Sequence, residues 1–204
     1  CEIIGIPAEH LTHVYQEHGT IIWPVGQEHR GAGALTGEDP VGNGDGLIST
    51  EPGVPLAILI ADCLPIFFST VDVRVVGLAH AGWRGTLSDI AGAAVNKMNE
   101  FYHVDPSALL VWIGPGISRN GFRVGNDVWE IFQERWGKYD DCFDRENQAI
   151  DLKKINRYQL EAAGVLTDNI EVATERTFGD FRFFSYRRDG KGSGHNMAVI
   201  MRER

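Results

Sequence analysis

Two short aliphatic runs, residues 55–61 and 73–79, dominate the hydrophobic pattern of the chain. Each run is bounded by turn or polar residues, which is typical of buried strands rather than of one long helix. Cys63 and His80 follow shortly after them. The pattern therefore predicts two central strands, with a Cys and a His just past their C-terminal ends.

An amphipathic segment after His80 is the strongest helix signal in the chain. Thr86 and Asp89 resemble a capping box, which predicts that the helix begins at Thr86. Anions bind well at the N-terminus of a helix, so we expect a phosphate site formed by Arg84, Gly85 and Thr86. The apolar face of the helix consists of Leu87, Ile90, Ala91, Ala94, Val95, Met98 and Phe101.

Further elements alternate without a strict strand–helix–strand order, which favours an α+β fold, a layered sandwich of mixed sheets flanked by helices. No linker or repeat divides residues 1–204, so we expect a single domain. Asn126 and Asp151 are expected to cap two helices, and residues 26–46 to form a long surface loop that acts as a lid. Strands are also predicted at residues 11–16, 20–25, 47–50, 109–113, 170–173, 182–186 and 197–201.

Composition narrows the classes of function. The formal net charge is −9, from 19 basic and 28 acidic residues, which argues against general nucleic-acid binding. No apolar stretch approaches the ~18 residues of a membrane helix, so we expect no membrane partner and a cytoplasmic location. The three cysteines, at positions 1, 63 and 142, show no disulfide spacing and fit a reducing compartment. The composition leaves the oligomeric state open.

His18, Cys63 and His80 are the candidate chemical group. A Cys and two His can hold Zn²⁺ and leave a fourth position open, as in catalytic zinc sites. The same residues also fit a copper ion, or a Cys nucleophile with a His base. Asp62 is either a catalytic carboxylate or a turn residue that accepts nearby amides, and Arg84 binds phosphate or pairs with a carboxylate.

Six motifs occur in an order that resembles the multicopper polyphenol oxidoreductase, or laccase-domain, family, which is also described as YlmD- and YfiH-type purine nucleoside phosphorylases. The motifs HAGWRGT and ADCLPIFF together are highly specific. The resemblance implies that part of the family's N-terminal stretch of strands is missing from this chain. The motifs are QEHG at 16–19, DGLIST at 45–50, ADCLPIFF at 61–68, HAGWRGT at 80–86, IGPGI at 113–117 and FFSYRRDG at 183–190.

The resemblance implies an α/β/β/α layered fold and one zinc ion bound by His18, Cys63 and His80. It also implies phosphorolysis of adenosine, inosine, guanosine and methylthioadenosine, together with adenosine deamination. In that chemistry Arg84 would hold phosphate, and Asp62 is our choice of acid or base. The partners would then be small molecules, purine nucleosides and phosphate.

Two other functions remain open at this point. The family's older name implies a copper-dependent polyphenol oxidase, but a multicopper enzyme needs on the order of ten His ligands and this chain has seven His. A module that binds nucleotides without turning them over is the further alternative. Zinc is therefore the expected cofactor, with copper as the alternative.

Overall fold

The fold is that of a computed structural model that describes residues 5–34 and 39–203. The strands are β1 Ile22–Pro24, β2 Gly46–Ser49, β3 Leu56–Ile60, β4 Leu64–Thr70, β5 Val76–Ala81, β6 Leu109–Ile113, β7 Phe143–Asp144, β8 Ala149–Ile150, β9 Ile170–Val172 and β10 Asn196–Ile200. The α-helices are α1 Trp83–Leu87, α2 Ile90–Tyr102, α3 Asn126–Trp136, α4 Leu152–Ala162 and α5 Tyr186–Asp189.

A mixed six-stranded sheet forms the centre, in the order β1-β2-β5-β4-β6-β9. The pairs β1/β2 and β6/β9 are parallel, and the others are antiparallel. Successive side chains of a strand point to opposite faces, so neighbouring residues of β2 enter different cores. Ile48 belongs to the core cluster that includes residues of the helices α2, α3 and α4, whereas Leu47 belongs to a second cluster that includes residues of β3 and β10, which form a second sheet. The predicted layered α+β fold, with mixed sheets flanked by helices, is confirmed.

Several predicted elements coincide with observed ones. The runs at 20–25, 55–61, 109–113 and 170–173 contain β1, β3, β6 and β9, and the runs at 47–50 and 197–201 overlap β2 and β10, which each begin one residue earlier. The two capped helices are α3 and α4. Asp151 caps α4 by accepting a hydrogen bond from the Lys154 amide, whereas Gly125, not Asn126, is the N-cap of α3.

Three predicted strands differ from the structure. Residues 11–16 make isolated bridges, at Thr12 and Tyr15, rather than a strand. The run at 73–79 begins as a turn, because the Thr70 hydroxyl accepts the amides of Arg74 and Val75, so the strand is shifted to β5. Residues 182–186 lead into α5 instead of forming a strand. The strand β4 was not predicted.

The predicted helix start at Thr86 is wrong. Thr86 lies inside the short helix α1, and the long helix α2 begins after Asp89, whose side chain accepts the Gly92 amide.

The predicted loop at 26–46 contains a single turn of helix at Gln27–His29, and its residues 35–38 lie outside the described part, as does Cys1. Among the described residues, no helix has the length and apolar character needed to cross a membrane.

Candidate metal centre and its cavity

Three side chains from separate segments meet at one edge of the central sheet. Cys63 lies in the turn between β3 and β4, and His80 lies on β5 opposite Pro65. His18 comes from the loop before β1 and brings its ring within 4.8 Å of the His80 ring, measured between centroids. One donor atom from each of these side chains lies within 4.8 Å of the others. A tetrahedral zinc ion needs donors roughly 3.5 Å apart, so small side-chain rotations would complete the site.

Asp45 fixes both histidines. Its buried carboxylate accepts His80 Nδ1 at 2.8 Å, which leaves Nε2 as the ring nitrogen that can bind a metal. The same carboxylate accepts the backbone amides of His18 at 2.9 Å, Gly19 at 2.6 Å and Glu17 at 3.3 Å. Sequence reasoning missed this residue, although it begins the DGLIST motif. Asp45 therefore couples the orientation of His80 to the position of the His18 loop.

The His18 loop has a second anchor in Gln16. The Gln16 side chain accepts the Leu59 amide at 2.8 Å and donates to the Leu59 carbonyl at 2.9 Å, so it pairs with β3 as a further strand residue would. His18 itself has a left-handed backbone with φ of 62°. The QEHG motif thus supplies one anchor, one candidate ligand and three backbone amides for Asp45.

The electrostatics of the cluster favour a thiolate. Burial raises the pKa of the Cys63 thiol, but hydrogen bonds with His18 and His80 outweigh burial and lower the pKa to about 7. Burial also lowers the pKa of His80, yet hydrogen bonds with Asp45 and Cys63 raise it to about 9. A bound cation would replace the protons shared in the cluster, because Cys and His bind metals in their deprotonated forms.

At position 82, in the HAGWRGT motif, the site has no room for a side chain. A Cβ atom at this position would lie 2.7 Å from His18 Cδ2 and 3.1 Å from Cys63 Sγ. Both distances are shorter than van der Waals contact, so a side chain would displace two of the three candidate ligands.

Asp62 joins the loops around the cavity. One carboxylate oxygen accepts the Thr177 hydroxyl at 2.6 Å, and the other accepts the Arg187 amide at 2.6 Å. The residue also has a left-handed backbone, with φ of 85°. These contacts give Asp62 a positioning role beside Cys63, and its proposed part in proton transfer stays a prediction.

Of the three residues predicted to bind phosphate, Arg84 faces the cavity, and Gly85 and Thr86 do not. Arg84 is exposed, lines the cavity and stacks on the Trp83 ring at 4.2 Å. Gly85 and Thr86 are buried and do not line it. The Thr86 hydroxyl instead accepts Asn156 Nδ2 at 2.9 Å. The expectation that Gly85 and Thr86 contact phosphate was tied to a helix start at Thr86, and α1 turns both residues toward the core.

A cavity of about 1090 Å³ opens beside the cluster. His195, which precedes β10, lines it. His13, Arg123, Tyr186 and Arg187 also line the cavity, and no sequence pattern pointed to His13 or Arg123. The large cavity and the three convergent donors together make this the candidate functional site.

This fold and donor set define a protein that can hold one metal ion beside a ligand cavity on a layered α+β scaffold. The model of the multi-copper polyphenol oxidoreductase laccase family matches residues 1–203. The chain belongs to that family.

Named relatives agree with this assignment. The chain is 38% identical over 206 residues to the purine nucleoside phosphorylase YlmD of Geobacillus stearothermophilus, covering 98% of this chain and 75% of the relative. It is 30% identical over 201 residues to the human purine nucleoside phosphorylase LACC1, covering 96% of this chain and 44% of that protein.

Solved structures show the same fold. The crystal structure of Geobacillus stearothermophilus YlmD matches with a TM-score of 0.89 at 36% identity, covering 100% of this chain and 77% of that one. The structure of YfiH from Bacillus licheniformis matches with a TM-score of 0.92 at 29% identity, covering 98% of this chain and 77% of that one. The relatives' names indicate a purine nucleoside phosphorylase-like enzyme that acts on small molecules.

Proposed function

We propose that this protein is a zinc-dependent purine nucleoside phosphorylase that also deaminates adenosine. The observation that carries the proposal is the meeting of His18, Cys63 and His80 beside a cavity large enough for a nucleoside and phosphate. The names of the relatives support phosphorolysis. The substrates proposed are adenosine, inosine, guanosine and methylthioadenosine, and the proposed location is the cytoplasm.

The donor set fits zinc. One thiolate and two imidazoles leave a fourth tetrahedral position open, which is the arrangement of a catalytic rather than a structural zinc site. Zinc bound there would lower the pKa of a water ligand to about 7, so that water becomes a competent nucleophile near neutral pH. Deamination at C6 of adenine uses such a nucleophile.

The chain's own residues supply the rest of the site. Arg84 presents a guanidinium to the cavity from a helix whose Thr86 hydroxyl is held by Asn156 and whose Thr86 carbonyl is held by Gln159. A guanidinium binds phosphate with charge-assisted hydrogen bonds, so we assign phosphate to Arg84. Asp62 keeps the surrounding loops in place through Thr177 and Arg187.

Copper oxidation is the second candidate, because the family's name includes it. A His₂Cys set accepts copper as well as zinc. In the described part of the chain, however, His18, Cys63 and His80 form the one group of donors that could hold a metal ion. Multicopper oxidation needs several copper centres, so the donor count favours the phosphorylase.

Metal-defined turnover tests the proposal. The protein is loaded with one equivalent of zinc or of copper and incubated with adenosine, with and without phosphate, before chromatography. We expect inosine with or without phosphate, because deamination uses water. Adenine, and hypoxanthine released from inosine, should form only with phosphate. A copper-loaded sample that oxidises phenols while the zinc-loaded one leaves adenosine intact would favour the oxidase. The absence of every product would favour a binding module.

Replacing Arg84 with Met is expected to affect phosphorolysis more than deamination. Losing one charge-assisted contact costs ~1.5 to 3 kcal/mol, or about ten- to over a hundredfold in affinity, so the KM for phosphate should rise by that factor. Deamination uses water and should change little. Initial rates over a range of phosphate concentrations measure the difference.

Arg135 offers a matched control for this variant. It also stacks on a neighbouring tryptophan, with its guanidinium carbon 5.8 Å from the Trp136 ring centre, but it does not line the cavity. Arg135→Met should leave both reactions unchanged. An equal loss of both reactions in Arg84→Met would show that Arg84 stabilises the α1 turn instead of binding phosphate.

A further inference from the structure

The charge lining the cavity is opposite to the charge of the chain. The chain carries a formal net charge of −9, yet among the residues that the structure describes, three arginines, Arg84, Arg123 and Arg187, line the cavity against one carboxylate, Asp62. The carboxylate is already held by the Thr177 hydroxyl and a backbone amide. The described lining therefore carries more positive than negative side-chain charge.

Two of these guanidinium groups have no hydrogen-bond or ion-pair partner among the described residues. Arg187 donates to the carbonyls of Gly121, at 3.1 Å, and Arg123, at 2.8 Å. Arg84 stacks on Trp83, but neither Arg84 nor Arg123 makes a side-chain hydrogen bond or ion pair within residues 5–34 and 39–203. Arg84 is assigned to the phosphate of phosphorolysis, which leaves Arg123 without a function.

The backbone beneath Arg123 is held on several sides. The Arg123 carbonyl accepts a hydrogen bond from the Arg187 guanidinium. On either side of Arg123, the Val124 amide donates to the Gln148 carbonyl, and the Phe122 carbonyl accepts from the Ile150 amide. The Arg123 side chain is exposed although its backbone is fixed in this way. Binding groups on fixed backbone lose less conformational freedom when a ligand arrives, which is how preorganised sites gain affinity.

The volume allows a second anionic group. Small-molecule pockets measure about 300–1000 Å³, and this one, at about 1090 Å³, lies just above that range. We propose that Arg123 forms a second anion-binding position, which takes the 5′-phosphoryl group of a nucleoside monophosphate. The nucleoside part of this ligand rests on the proposed function, whereas the anion position rests on Arg123 and the cavity.

Calorimetric binding of inosine and inosine 5′-monophosphate to zinc-loaded protein in phosphate-free buffer tests the proposal. Neither ligand reacts under these conditions, because phosphorolysis lacks its second substrate and the 6-amino group is already absent. We expect the monophosphate to bind about tenfold or more tightly than inosine. Arg123→Gln should abolish that difference and leave the affinity for inosine unchanged.

Arg119→Gln is the matched control, because it removes the same charge but Arg119 does not line the cavity. The proposal is overturned if the monophosphate binds no more tightly than inosine. It is equally overturned if Arg123→Gln and Arg119→Gln lower the affinity for the monophosphate by the same factor. It is also overturned if Arg123→Gln raises the KM for phosphate as Arg84→Met does, since Arg123 would then contact the transferred phosphate. Monophosphate binding without any nucleoside turnover would instead contradict the proposed function and leave the anion position standing.

Discussion

Replacing Cys63 with Ala is expected to remove most of the bound zinc while the protein stays folded. The thiolate is one of three proposed donors, and an open three-ligand site cannot replace it from within the cluster. Removing a residue that only hydrogen-bonds to a metal ligand typically lowers metal affinity about 10- to 100-fold. The loss in Cys63→Ala should be larger, because a ligand itself is removed. Elemental analysis per chain after dialysis, together with the melting temperature, measures both effects.

Cys142 is the control for this experiment. Burial and the nearby Asp141 raise the pKa of its thiol to about 12, so it is a neutral core side chain and not a metal-binding thiolate. Cys142→Ala should therefore keep its zinc, at some cost in stability. Full zinc occupancy in Cys63→Ala would exclude the proposed ligand set.

The strands with clear apolar runs could be predicted from the sequence, and the elements that depend on distant contacts could not. β3 and β6 are continuous apolar runs bounded by turn residues, so their position follows from local pattern alone. β4 begins directly after Cys63 and lies in the central sheet, whereas β3 pairs with β10, and no local pattern reports this change of sheet. The start of β5 depends on the Thr70 hydroxyl, which closes a turn at Arg74 and Val75.

The candidate site likewise has residues that could be predicted from local sequence and residues that could not. His18, Cys63 and His80 could be named because each stands in a specific motif, and the structure brings them together. Asp45 could not be assigned a role, because its partners lie 26 to 35 residues away in the chain. Thr86 was misplaced for a related reason. Its hydroxyl is held by Asn156, 70 residues further along, and no local pattern reports such a contact.

Replacing Asp45 with Asn is expected to weaken zinc binding and the fold together. An amide has the shape of the carboxylate but lacks its charge, and its NH₂ group would face donors that now point at an oxygen. At least one of the amides of His18 and Gly19, or the ring nitrogen of His80, would lose its partner. A buried donor without a partner costs ~1–3 kcal/mol of stability. Since Asp45 orients His80, zinc affinity should fall about 10- to 100-fold.

Competition with a chelator of known affinity gives the zinc constant, and denaturant unfolding of the metal-free protein gives the stability. Asp72→Asn is the comparison, because Asp72 also accepts a backbone amide, from Arg74, together with the Thr70 hydroxyl, but makes no hydrogen bond to His18 or His80. That variant should change stability slightly and zinc affinity not at all. If Asp45→Asn lowered the stability of the metal-free protein and left the zinc constant unchanged, Asp45 would support the fold without orienting His80. A fall in both is what its simultaneous contacts with the His80 ring and the His18 loop require.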